Sequence, residues 1–218
     1  SDNKQSTSKG GTICLTGNNI TVTGSRFILG KVFYKNGAKL NETDGGALFV
    51  TGQNAIISNS EFIQCSSPNN AGAIEVIGNS TILDNCTFIE CSADEDGGAV
   101  YVDGLDCKIY NSTFTSNTAK DDGGAILWKG ARGLIYNSIF TGNRGVGKSG
   151  SHSSGGAINL VGDYTIVEKS KFDGNTADIN GGSIYASGDY VNITDSTFSN
   201  TNVTLTYEKN YAHGGGAI

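Results

Sequence analysis

The stretch GGAVYVDGLDCKIYNSTFTSNTAKDD at residues 97–122 decides the fold, because its pattern recurs along the whole chain. It opens with a Gly-Gly-Ala-aliphatic tetrapeptide, and close copies of that tetrapeptide begin at Gly10, Gly45, Ala71, Gly123, Gly155, Gly181 and Gly215. A second motif, Phe-x-x followed by Asn, Cys or a small residue, begins at Phe27, Phe62, Phe88, Phe114, Phe140, Phe172 and Phe198. Self-similarity of this kind indicates a repeat architecture.

The spacing of the two motifs separates a constant half of the repeat from a variable half. Each tetrapeptide begins 17 residues before its Phe in all seven units. The distance from Phe to the next tetrapeptide is 9 residues in four units, but 18 after Phe27, 15 after Phe140 and 17 after Phe198. The basic period is therefore 26 residues, which is too short for most repeats built from helix pairs, and every insertion falls in the same segment.

The local pattern predicts strands rather than helices. Stretches such as AIEVIG at 73–78 and AINLVG at 157–162 alternate over a few residues and are rich in β-branched types, with Gly, Asn and Asp between them. The leucine-rich signature is absent. We therefore predict an all-β chain that forms a right-handed parallel β-helix of seven to eight coils. Residues 1–9 are expected to form an N-terminal tail, and residues 10–218 the repeat domain, as a fragment of a longer array.

Stacking the units in register predicts columns of like side chains. Inward columns are expected for the residues that begin at Leu48, Val50 and Ile57, and for the Phe residues of the second motif. A column of Asn59, Asn85, Asn111 and Asn137, continued by Lys169 and Asp195, predicts an amide ladder at a left-handed turn. Another column contains Cys65, Cys91, Asn117, Asn143 and Asn175. Free stacked thiols are favoured at Cys65 and Cys91, and a disulfide between them stays open.

Composition limits the possible partners and ligands. The chain has 218 residues, 37% of them hydrophobic, and carries a formal net charge of −6 with 15 basic and 21 acidic side chains. An acidic surface argues against a nucleic acid partner. The five Cys include no CxxC pair and no His at zinc-ligand spacing, which excludes a zinc finger. No apolar run is long enough to span a bilayer, so we expect a soluble domain whose export signal or anchor lies elsewhere.

The paired motifs resemble those of a known repeat family. FTSN at 114–117, FTGN at 140–143 and FDGN at 172–175 follow the FxxN pattern, and GGA is followed by Ile, Leu or Val. In this respect the chain, from Gly10 to Ile218, resembles the polymorphic membrane protein family of bacterial autotransporters and the adhesin-like surface proteins of methanogenic archaea. The resemblance implies a β-helical adhesin at the cell surface or secreted, which binds a glycan or protein ligand and is not an enzyme.

The three insertions are the predicted binding edge, because insertions in a solenoid map to loops on one face. The candidate ligand-binding residues of these loops are aromatic or basic: Phe33, Tyr34, Arg144, His152, Tyr207 and Tyr211. Exposed aromatic side chains beside flexible polar residues suit contacts with sugar rings or a protein partner. Loop variation without any ligand is the alternative interpretation.

Two other functions stay open from the sequence. Many right-handed β-helices are polysaccharide lyases or hydrolases, and Glu75 and Asp103 are the carboxylates expected on the outward face of the first strand. A cross-strand ion pair between Asp103 and Lys129, one period apart, explains these charges without catalysis, so no catalytic residue is predicted. A self-assembling filament or stalk, in which β-helix ends associate, is the third possibility.

Acidic residues recur at the corner before the tetrapeptides, as Glu42 with Asp44, Asp94 to Asp96, and Asp121 with Asp122. Their oxygen atoms could ligate calcium. Their spacing matches neither an EF-hand loop nor a calcium-binding β-roll, so solvated turn acids are the favoured interpretation. Neither a metal site nor a cofactor is predicted.

Overall fold

The computed structural model describes residues 9–33, 44–147 and 153–204, together with residues 216 and 218. This part of the chain is a right-handed parallel β-helix, as the repeat predicted. Each coil contributes short strands to four parallel sheets, which we name A to D in the order in which the chain visits them.

The strand bounds follow the repeat. Sheet A consists of Ile13–Leu15, Leu48–Val50, Ile74–Val76, Val100–Val102, Ile126–Trp128, Ile158–Leu160 and Ile184–Ala186. Sheet B consists of Thr21–Thr23, Ile56–Ser58, Ile82–Asp84, Lys108–Tyr110, Leu134–Tyr136, Ile166–Glu168 and Asn192–Thr194. Sheet C consists of Arg26–Ile28, Glu61–Ile63, Thr87–Ile89, Thr113–Thr115, Ile139–Thr141, Lys171–Asp173 and Thr197–Ser199. Sheet D consists of Ser66–Ser67, Ser92–Ala93, Thr118–Ala119, Arg144–Gly145, Thr176–Ala177 and Asn202–Val203.

The insertions leave the register of the coils intact. Val100 pairs with Ile74 on one side and with Ile126 on the other, each one period away. Ile126 then pairs with Ile158 across the second insertion, and Ile13 pairs with Leu48 across the first. Extra residues are therefore accommodated outside the ladder, and equivalent positions of successive units lie side by side.

The predicted inward columns form one continuous core. The columns that begin at Leu48, Val50 and Ile57 are buried through the central coils. The Phe rings of sheet C stack face to face from Phe27 to Phe198, with ring centroids 4.6 to 4.9 Å apart. Trp128 fits into the same core because its indole nitrogen Nε1 donates to the Gly130 carbonyl at 2.8 Å.

The predicted amide ladder of the Asn59 column forms only in part, because Asn111 Nδ2 donates to Asp84 Oδ1 rather than to Asn85. The residues of the Asn59 column adopt φ values of 49° to 52°, and Asn85 donates from Nδ2 to Asn59 Oδ1 at 2.8 Å. The second column is buried, and Asn117 Nδ2 donates to Asn143 Oδ1 at 2.9 Å. All five cysteines are free thiols, which decides against the disulfide between Cys65 and Cys91.

At the corner between sheets D and A, steric constraints explain why both residues of the Gly-Gly pair are glycine. Gly97 adopts a φ of +63°, a conformation that side chains disfavour. A Cβ atom on Gly98 would overlap the carbonyl oxygen of Gly124 in the next coil and the backbone of Thr118. The motif therefore marks a point where adjacent coils approach too closely for a side chain. The described residues contain no helix long and apolar enough to cross a membrane.

Candidate functional site

The outward face of sheet A is covered, although alternation along the strands points its central side chains away from the core. These side chains are less than one-tenth exposed in five successive coils: Phe49, Glu75, Tyr101, Leu127 and Asn159. Ala71, at the corner before the strand Ile74–Val76, packs with Tyr101 and Leu127 in a second apolar cluster. Corner residues therefore fold back over this sheet and bury polar groups that the sequence pattern assigns to the surface.

Glu75 is the most perturbed carboxyl group on this covered face. Its side chain lies near Asp44 and Lys9, and the Lys9 ammonium is 3.3 Å from Asp44 Oδ2 and 3.9 Å from Glu75 Oε2. Oε2 has no hydrogen-bond partner. Burial, followed by the nearby charge of Asp44, raises the pKa of Glu75 to about 8, although Lys9 opposes the shift. This group is therefore protonated in neutral solution.

The expected pair of Asp103 and Lys129 does not form as a direct ion pair. The Lys129 ammonium lies instead over the Tyr101 ring, 5.1 Å from its centroid. The ammonium therefore has the aromatic ring as its partner and not the exposed carboxylate of Asp103. Glu75 is buried while Asp103 is exposed, so these two carboxyl groups do not face each other across an open groove.

The acidic corner gathers three carboxyl groups from two successive coils. One oxygen from each of Asp96, Asp121 and Asp122 lies within 4.8 Å of the others. Asp96 Oδ1 accepts from the Asp122 amide at 3.1 Å, and Asp122 Oδ1 accepts from the Ser154 amide at 2.8 Å. The three side chains are half-buried, so the interpretation as solvated turn acids underestimated their burial.

Burial perturbs these carboxyl groups. It raises the pKa of Asp122 to about 7, and the neighbouring charges of Asp121 and Asp96 act in the same direction. It also raises the pKa of Asp96, against the effect of the hydrogen bond from the Asp122 amide. Asn159, on the covered face of sheet A, opposes the rise in the pKa of Asp122, and the Oδ1 atom of Asn159 has no hydrogen-bond partner. The corner thus collects several oxygen atoms at a cost in desolvation.

An exposed aromatic pair lies at the opposite end of the sheet A strands. Tyr164 and Tyr190 occupy equivalent positions in the turn to sheet B, and their rings stack at 4.8 Å with an interplanar angle of 6°. They are 54% and 73% exposed, which makes them the largest flat apolar surface on this turn. Asp163 and Asp189 precede them and are also exposed. We call Tyr164, Tyr190 and these two acids the tyrosine platform.

The structure describes two of the six predicted loop residues. Phe33 is 70% exposed, with the Lys31 ammonium 5.2 Å from its ring centroid. Arg144 was assigned to an insertion loop, but it lies in the strand Arg144–Gly145 of sheet D with its side chain exposed, because the regular coil continues past the FTGN motif. Lys31 bridges to Ser66 of that sheet, so Phe33 and Arg144 share one side of the solenoid. Outside the described residues lie the others: Tyr34, His152, Tyr207 and Tyr211.

The tyrosine platform was missed at the sequence level. Its signal is the tripeptide GDY, which occurs at 162–164 and again one period later at 188–190. Asn159 was missed as well, because alternation placed it among the outward residues of sheet A and gave no hint that a corner covers it.

Comparison with known proteins supports the fold. A family model described as right handed beta helix region matches residues 46–216. Searches of curated proteins and of solved structures gave no match.

Proposed function

Because the chain belongs to the family of right-handed β-helix regions, we propose that it serves as an adhesin-like binding domain outside the cell. Its ligand is a carbohydrate, held against the side of the solenoid. This function agrees with the resemblance of its paired motifs to those of adhesin-like surface proteins. The observation that carries the proposal is the tyrosine platform.

The platform has the chemistry that sugar rings require. Two parallel, exposed phenol rings offer flat apolar faces, and each ends in a hydroxyl group that can donate or accept a hydrogen bond. Asp163 and Asp189 place carboxylates beside the rings, and carboxylates accept hydrogen bonds from sugar hydroxyls. The two rings lie one coil apart along the solenoid axis, and this arrangement suits an extended polysaccharide chain.

Backbone strain supports a binding role for these tyrosines. Tyr164 and Tyr190 have φ values of 56° and 58°, in the left-handed region that bulky residues disfavour by about 1 to 2 kcal/mol. Asn19 and Asn54 occupy the same column in earlier coils at φ values of 58° and 54°. Stacking of the two rings returns about 0.5 to 1.5 kcal/mol for the pair, which does not offset the cost at both positions. Strained residues of this kind cluster at functional sites.

The test replaces both rings without disturbing the fold. In the variant Tyr164→Asn with Tyr190→Asn, the new side chains fit the left-handed turn, so the free energy of unfolding should stay within about 1 kcal/mol of the wild type. A glycan-array screen of the wild-type protein identifies the ligand, and titration then gives the affinity. We expect each substitution to weaken binding about tenfold, because a lost stacking contact of about 1.4 kcal/mol corresponds to that factor.

The matched control is Ser80→Asn, in the same column three coils away, which changes no ring. Phe33→Ala and Arg144→Ala form a separate arm that tests the side of the solenoid predicted from the insertions. Undiminished glycan binding by the double tyrosine variant would contradict the role of the platform. No binding to any glycan on the array would contradict the carbohydrate ligand.

A polysaccharide-active enzyme is the second candidate, and Glu75 is the observation that favours it. A buried carboxyl group with a raised pKa near a second carboxylate is the arrangement of a general acid with an ionised partner. Asp44, rather than Asp103, is the closer partner, since both Asp44 and Glu75 contact Lys9. Mass spectrometry of glycans incubated with the protein distinguishes the two functions. Cleaved products that disappear in Glu75→Gln would favour the enzyme, whereas intact bound glycan favours the adhesin.

A further inference from the structure

We propose that Lys9 and Asp44 join through their side chains in an intramolecular isopeptide bond, and that Glu75 is the catalytic residue of this reaction. The three residues come from successive coils and meet at the covered face of sheet A. The reaction uses the groups of the chain itself and releases one water molecule. This inference does not depend on the carbohydrate proposal, because it concerns other residues and is tested by the mass of the chain.

The three reacting groups are held in contact. Lys9 Nζ is 3.3 Å from Asp44 Oδ2, which is bonded to the carbon that the amine would attack, and 3.9 Å from Glu75 Oε2. The side chains of Asp44 and Glu75 are only 3% and 5% exposed, while that of Lys9 is 33% exposed. The ring of Phe49 also contacts the ammonium, with its centroid 4.6 Å from Nζ. Reactants fixed at such distances gain a large effective concentration.

Burial distinguishes this cluster from an ordinary surface ion pair. Lys120 is closer to its carboxylate, with Nζ 2.6 Å from Asp94 Oδ1, but both of those side chains are about half-exposed. Water stabilises the charges of an exposed pair, whereas buried carboxyl groups lose that stabilisation. A proton that moves from Lys9 Nζ to Asp44 Oδ2 removes both charges. It leaves the neutral amine, which is the form that acts as a nucleophile.

The carboxyl group of Asp44 is oriented for attack by the amine. Its Oδ1 atom accepts hydrogen bonds from Asn69 Nδ2 and from the backbone amide of Asn70. When the lysine nitrogen adds to Cγ, negative charge develops on Oδ1, and these two donors stabilise it as an oxyanion hole does. Oδ2 lies on the side of Lys9 and is therefore the oxygen atom that leaves.

Glu75 transfers the protons of the reaction. Its Oε2 atom is buried, faces Lys9 and has no hydrogen-bond partner within the described residues. Because burial and then the charge of Asp44 raise the pKa of Glu75 to about 8, the group carries a proton in neutral solution. After the nitrogen has added to Cγ, Glu75 takes one proton from Nζ and gives its own to Oδ2.

The reaction balances without any other reactant. Oδ2 receives its first proton from the Lys9 ammonium and its second from Glu75, and it leaves as water when its bond to Cγ breaks. The electron pair on Oδ1 then re-forms the carbonyl group. One ammonium and one carboxylate have become one amide and one water molecule, and Glu75 is again protonated.

The bond would close a loop from residue 9 to residue 44 and fasten the strand Ile13–Leu15 to the next coil. A cross-link of this kind restricts the unfolded chain, so the linked protein should unfold several degrees above the variant Lys9→Arg. The pH dependence of stability that the Glu75 carboxyl confers belongs to the unlinked chain, in which Lys9 and Asp44 keep their charges. Lys9→Arg preserves that state for its measurement.

Mass spectrometry of the purified chain tests the bond after incubation at neutral pH. The intact chain should be lighter than its sequence by one water molecule. Trypsin cleaves between the two residues at Arg26 and Lys31, so a branched peptide that contains both Lys9 and Asp44 identifies the link. An imide at Asp44 and Gly45 would also lose water, but it would not join two peptides.

Two variants and a control complete the test, with circular dichroism as the check that each is folded. Lys9→Arg keeps the positive charge, but a guanidinium group stays protonated and does not attack, so the full mass is expected. Glu75→Gln keeps the shape without the proton relay, and the bond should form at least about a hundredfold more slowly. Lys120→Arg, at the exposed pair with Asp94, should link like the wild type.

Three results would overturn the proposal. The first is a wild-type chain that retains its full mass, and the second is a loss of water without the branched peptide. The third is bond formation at the same rate in Glu75→Gln and in the wild type.

Discussion

In this solenoid the type of residue at a turn depends on the backbone conformation that the turn requires. Among the residues that the structure describes, nineteen other than glycine have a positive φ, and most of them recur at the same positions of successive coils. Asn at such a position avoids most of the steric penalty, as in the Asn59 column. Tyrosine at such a position, as at Tyr164, lacks this advantage, which supports the proposed contact with a carbohydrate.

Glu75 gives a prediction at the scale of one side chain. Its pKa in the folded protein is about 8, against an ordinary value near 4.5, so the folded state holds the proton more tightly than the unfolded chain. The stability that this proton contributes is complete below about pH 4.5 and is lost as the pH rises through 8. We therefore expect Glu75→Gln to match the wild type near pH 4.5 and to become more stable by a few kcal/mol by pH 8.5.

Urea denaturation at a series of pH values measures this difference. Asp44, Lys9 and Asp103 are the charged groups whose fields act on Glu75, and they are unchanged in the variant. The exposed Glu90→Gln, whose carboxylate accepts from Gln64, is the control and should follow the wild type throughout. A difference in stability between Glu75→Gln and the wild type that does not change with pH would contradict the prediction.

The strands are too short to be stable singly, and the stacked columns are what hold them. Each strand of sheets A, B and C has three residues. In sheet A the two outer residues face the core, whereas in sheets B and C the central residue does. In sheet C the central Phe stacks on the equivalent ring of both neighbouring coils. The element is therefore stabilised through its neighbours in the array, as in other repeat proteins.

The Phe stack predicts how stability depends on position within the sheet. Phe114 is fully buried between Phe88 and Phe140, so Phe114→Ala should lower the free energy of unfolding by about 3 to 5 kcal/mol. Phe198 is only partly buried and stacks on one described ring, so Phe198→Ala should cost clearly less. Chemical denaturation followed by circular dichroism gives both values. Equal losses in the two variants would show that the stack does not act as a continuous column.

At the scale of the whole molecule, the thiols report whether the coils form one protected interior. Cys65, Cys86, Cys91 and Cys107 are buried, and Cys14 is exposed. Burial raises the pKa of Cys86 and of Cys107 to about 11, which further lowers their reactivity.

We expect a thiol-specific reagent to modify one cysteine per chain in the native protein and all five after denaturation. Cys14→Ser should abolish the native reaction and leave four thiols in denaturant. Rapid native modification of more than one thiol would show that the coils open independently, and only three thiols in denaturant would indicate a disulfide. The protein should be handled without reductant during labelling, so that both outcomes stay visible.

The sequence by itself determined the period, the number of coils, the inward columns and the positions of the polar columns. Parallel pairing in register puts residues one period apart beside each other, so that a column can be read from spacing alone, as for Phe88 and Phe114. It did not determine which outward residues meet or become buried. That depends on how the corner before each Gly-Gly motif folds back over sheet A, which the tertiary structure alone decided for Asn159, Asp122 and Glu75. The reason is physical: strand periodicity specifies a direction for each side chain, while burial depends on what another segment places in front of it.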